Sequence, residues 1–62
     1  MQDMKAHLEK LRTDAAECRL ISDLASDPAK RELFNRLAAH LATLAGEVEA
    51  AIAAALSGEE SA

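Results

Sequence analysis

Asp23-Leu24-Ala25-Ser26-Asp27-Pro28-Ala29-Lys30-Arg31 decides the fold. Pro28 is the single proline of the chain. It disfavours helical geometry at Asp27, so a helix arriving from the N-terminal side stops there. Proline itself fits the first position of a new helix, where the donor it lacks would be unsatisfied anyway. Asp27 is a good N-cap, because its carboxylate can accept bonds from the free N–H groups of that first turn. One helix therefore ends and another begins across Ser26-Asp27. A turn this short makes the two helices antiparallel neighbours. The competing reading is one continuous helix kinked at Pro28.

Upstream of the turn, the first helix is expected from about Asp3 to about Ala25. Met4, Leu8, Leu11, Ala15 and Cys18 recur in alternating steps of four and three, the spacing of a coiled-coil seam. Lys5 with Glu9 and Lys10 with Asp14 form i,i+4 pairs on the solvated side. Beyond Cys18, Leu20, Ile21 and Leu24 fall off the seam at about 100° per residue. One hairpin partner cannot cover them, so they predict a second contact surface.

Downstream, the second helix is expected from about Pro28 to about Leu56, with Gly58 as its C-cap. Its seam reads Phe34, Leu37, Leu41, Leu44, Val48, Ala51 and Ala55, widened by Leu33, Ala38, Ala45 and Ile52. A hairpin needs one narrow stripe, whereas a four-helix bundle needs a wider one. Symmetric pairing about the turn sets Cys18 near Phe34, Leu11 near Leu41, Leu8 near Leu44 and Met4 near Val48. Ala39, Ala42, Gly46, Ala50 and Ala53 make a row of small residues along the back of this helix. Alanine is also the best surface helix former, so the row need not be a contact. Residues 1–56 thus read as one hairpin unit, and 57–62 as a disordered tail.

At 62 residues the chain makes at most one small domain. Scaffolds of this size add disulfides, metals or oligomerisation to a thin core. One cysteine excludes an internal disulfide. Cys18, His7 and His40 lack the short paired spacing of a zinc site, so no metal or other cofactor is expected. Self-association remains. The fold class is therefore all-α: a two-helix antiparallel hairpin assembling into a homo-oligomeric four-helix-type bundle. A homodimer is expected, with a tetramer as the alternative. Leu20, Ile21, Leu24, Phe34, Leu41, Val48 and Ile52 are the candidate self-association residues.

A net charge of −4 with no Trp, no Tyr and one Phe argues against nucleic acid, which needs basic patches and stacking rings. No apolar run approaches ~18 residues, so no membrane span is expected. The charged N-terminal pattern is unlike a signal peptide, and a lone thiol fits a reducing compartment. A cytoplasmic location follows as the expectation.

Candidate chemistry is sparse. His40 lies off the main apolar stripe and could accept phosphate, as in histidine phosphotransfer domains. Those domains usually carry Lys and Gly soon after the histidine, where this chain has Ala42 and Thr43. The bland reading is a surface histidine. Cys18 on the seam reads as a small buried hydrophobe rather than a reactive thiol. Arg12, Arg19, Arg31 and Arg36 could make an anion-binding patch, or simply a solvated face with weak ion pairs. Glu47 and Glu49 are two apart on a helix and do not face each other, so they are no acid/base couple. No enzyme is expected.

Glu17-Cys18-Arg19-Leu20-Ile21, the run from Asp27 to Phe34, Leu37-Ala38-Ala39-His40-Leu41 and the run from Leu44 to Glu49 together span about half of the chain. They resemble short, uncharacterised bacterial proteins of helical-hairpin type. The most specific part is the Asp-Pro-x-Lys-Arg-Glu-Leu-Phe start of the second helix. The resemblance implies a small stand-alone cytoplasmic protein and transfers no site residues. The expected function is a non-enzymatic protein–protein interaction or regulatory module, acting as a homo-oligomer and binding another protein. The alternative is a histidine phosphotransfer-like module using His40.

Overall fold

The computed structural model describes the backbone of residues 2–61 and the side chains of residues 3–58. The chain forms two helices, α1 (Gln2–Leu24) and α2 (Pro28–Ser61), with no strand among the described residues. They pack antiparallel as a rod of 53 × 15 × 11 Å.

The turn is held at both ends of the break. Asp27 Oδ1 accepts from the Ala29 amide at 3.2 Å, and the Asp27 carbonyl accepts the first helical bond of α2 from Arg31 at 3.0 Å. The Arg31 guanidinium reaches back and donates to the Ala25 carbonyl from Nε at 3.3 Å and Nη2 at 2.9 Å. A cation thus sits at the α1 C-terminus, where carbonyls left over from the helix need donors. Ser22, 5% exposed, donates from its hydroxyl to the Arg31 carbonyl at 2.8 Å. This buried polar group is therefore satisfied, as burial requires.

The buried apolar core joins Leu8 and Leu11 of α1 to Ala45 and Ile52 of α2, with Met4, Leu41, Leu44 and Val48 packed on its edge. Ala38 is buried nearer the turn. On α1 the seam is as expected from Met4 to Cys18, and continues through Ser22 and Ala25. On α2 the burial corrects the expected frame. The seam runs through Phe34, Ala38, Leu41, Ala45, Val48, Ile52 and Ala55, with Leu37 and Ala51 exposed. Both frames start at Phe34 and step by threes and fours. The occupied one places small Ala38 and Ala45 on the contact line, where little side-chain volume separates the backbones. It also buries Ile52 instead of Ala51.

The register is displaced as well. Arg12 pairs with Glu49, nine residues past its symmetric position, and Leu8 and Leu11 cluster with Ala45 and Ile52, which also lie later on α2 than symmetric pairing sets them. Side chains lean toward the N-terminus of their own helix. On α1 that lean points away from the turn, and on α2 it points toward the turn. The two leans add, so each α1 side chain meets a later residue of α2.

The end of α2 differs from expectation. The helix runs through Ser57 and Gly58 to Ser61, in place of a tail disordered from residue 57. No glycine adopts a positive φ, so Gly58 forms no left-handed cap. No proline follows to force a stop, and glycine inside a helix costs only about 1 kcal/mol. Ala62, the last residue of the expected tail, lies outside the described residues.

Candidate functional site

The two broad sides of the rod differ in chemistry. On one side Met4, His7 and Leu11 of α1 border a shallow depression with Leu44, Glu47, Val48 and Ala51 of α2. Heptad spacing carries this side toward the turn, adding Ile21 after His7 and Asp14, and adding Leu37 before Leu44. Leu33, one turn before Leu37, lies beside them. Ile21, Leu33 and Leu37 are exposed. The opposite side carries Arg12 and Ala15 against Ala42, Ala45, Gly46 and Glu49. It is lined by small residues and one ion pair, with no large apolar side chain. Arg12 there is held by Glu49, which accepts from its Nη2, and by Glu9 at 3.5 Å.

The seven candidate self-association residues separate into two groups. Leu20, Ile21 and Leu24 are exposed, Leu24 by 76%. Leu20 and Leu24 lie on the outer face of α1, turned away from α2, and Ile21 lies on the apolar broad side. Phe34, Leu41 and Val48 are half-buried on the seam, and Ile52 is buried in the core. Ile52 is already covered within one hairpin and presents nothing to a second copy. Sequence reasoning omitted Leu33 and Leu37 from this set. The signal for them was the alternative α2 frame through Ala38 and Ala45, which turns both leucines outward.

The polar candidates remain dispersed. His40 is exposed in an open groove on α2 with Leu33, Arg36, Leu37 and Thr43. The Thr43 hydroxyl donates to the Ala39 carbonyl at 3.0 Å, within its own helix. Cys18 is free and half-buried on the seam. Lys10 pairs with Asp14 at 3.5 Å as expected, whereas Glu9 pairs with Arg12. Arg12 and Arg31 serve different contacts, one across the helices and one at the turn, so the four arginines form no common anion site. Among the described residues no group of three His, Cys, Asp or Glu could hold a metal ion.

By length and composition the Pro28–Gly58 part of α2 is apolar enough to cross a membrane, with mean hydropathy 1.3 over its best window. Alanine and leucine raise that average although polar residues interrupt every run. Glu47 and Glu49 lie in mid-helix, and carboxylates are costly in hydrocarbon. No family model, curated protein or solved structure matches this chain.

Proposed function

We propose that this chain is a small non-catalytic interaction module that works as a homo-oligomer in the cytoplasm. Its basic unit is two hairpins forming a four-helix bundle, and its role is to bind another protein. The observation that carries this is the leucine-bearing broad side, left uncovered by the hairpin that forms it. Area and shape agree. One chain exposes 4642 Å², against roughly 3,900 Å² for a compact chain of its mass. Its radius of gyration is 15.0 Å, against about 11 Å for a compact domain of this length. A rod of two helices cannot hide its own apolar surface.

Light scattering at micromolar concentration tests the reading. The expected mass is twice the 6.6 kDa of one chain, or a higher multiple. A monomer with a sharp, cooperative unfolding transition overturns it. A second reading, phosphate acceptance by His40, has only the exposure of that ring in its favour. Incubation with phosphodonor and kinase, followed by mass measurement of the chain and of His40→Ala, decides it.

A further inference from the structure

We infer that two copies join through the broad side bearing Leu33, Leu37, Leu44 and Ala51, antiparallel, about a two-fold axis passing near Leu44. This rests on the proposed self-association and adds its face and direction. The occupant of the face is a second copy of this chain, for three reasons.

The first is size. Along this flank of α2 the large residues Leu33, Leu37 and Leu44 give way to the exposed Ala51 and, at the edge of the seam, the half-buried Ala55. An antiparallel pairing centred on Leu44 sets Leu37 over the second copy's Ala51 and Leu33 over its Ala55. Large meets small, as dense packing requires. A parallel two-fold would lay α2 over α1 of the second copy instead, and this match would be lost.

The second is charge. Of the charges on α2, Glu49 is held by Arg12 on the opposite side and Arg31 by the turn, which leaves Lys30 and Arg36 against Glu32 in the first half and Glu47 in the second, with no cation between Glu47 and Gly58. Antiparallel pairing lays the basic half of each copy over the acidic half of the other. The same axis lays α1 over α1 and brings Asp14 across from the second copy's Lys10. The third is area. A side of 53 × 15 Å offers about 800 Å², the share of each partner in a standard stable interface.

Cross-linking tests the geometry in a Cys18→Ser background. Leu37→Cys and Ala51→Cys chains are unfolded together, refolded as a mixture and oxidised. Leu37 is 39% exposed and Ala51 is exposed, so neither change opens the core. Circular dichroism checks that each variant keeps its helices. The expected product is the mixed 37–51 disulfide, exceeding either self-linked product about tenfold. Position 37 of one copy is far from position 37 of the other in this arrangement, beyond disulfide reach. Ala51→Glu is expected to abolish the dimer, while Gly46→Glu on the opposite side leaves its mass unchanged. A dimer that self-links through position 37, or that breaks with Gly46→Glu instead, overturns this geometry and leaves the proposed function standing. A Cys18→Ser chain that stays monomeric, including one that binds phospholipid vesicles through this face, overturns both.

Discussion

Single residues divide between those that fix the turn and those that are indifferent to it. Asp27 accepts a bond from the Ala29 amide, the first N–H of α2, so Asp27→Ala should lower stability by about 1 kcal/mol, the usual value of an N-cap. Urea denaturation measures it, and no change would remove the capping role. Gly46 is the opposite case. It sits inside α2, and a methyl group added there meets nothing within 4 Å. Gly46→Ala should therefore raise stability by about 1 kcal/mol, mainly by restricting the unfolded chain. The substitution should also preserve the dimer, because Gly46 lies with Arg12 and Glu49, away from the leucine flank. A loss of either stability or dimer places Gly46 in a close helix contact that the hairpin by itself does not contain.

At the level of the helix, α2 presents two apolar stripes a fraction of a turn apart. The stripe through Ala38, Ala45 and Ile52 serves the hairpin, and Leu37 and Ala51 lie outside it, with Leu44 half-buried between the two. Ile52→Ala should cost about 2–5 kcal/mol, as expected for emptying a core site. For a chain this small, that approaches its whole stability. Thermal melting followed by circular dichroism reads the loss, and an unchanged midpoint would place Ile52 outside the core. The Arg12–Glu49 pair is a different kind of contact. Both side chains are more than half-exposed or close to it, at 50% and 61%. Arg12→Ala should change stability by no more than about 1 kcal/mol, since solvent screens such pairs. A larger loss in a denaturation curve would mean that the arginine stem also packs.

For the whole molecule, the rod shape turns association into a matter of matching two long sides. Apolar contact supplies most of the binding, and the basic and acidic halves of α2 supply direction. Raising sodium chloride from about 0.05 M to about 1 M shortens the screening length from over 10 Å to about 3 Å. The dimer dissociation constant should rise several-fold across that range without the dimer being lost. Sedimentation equilibrium measures it. A constant that holds steady would show that the charges at the two ends do not meet.

Asp27-Pro28 by itself determined that there are two helices, where the break falls and that the helices run antiparallel. The α1 seam from Met4 to Cys18 was equally legible, since one stripe dominates that helix. These features are local: they follow from φ restriction, capping and helical periodicity within a few residues. Three things were decided only by the tertiary structure. Side-chain lean set the α1 side chains against later residues of α2 than symmetric pairing gives. Close approach at Ala38 and Ala45 selected the α2 frame, although Leu37 and Leu44 are the more hydrophobic choice. The burial of Ser22 required the Arg31 carbonyl to lie opposite. Each depends on where a second helix stands, and two α2 frames of nearly equal periodicity cannot be ranked until α1 is laid against them.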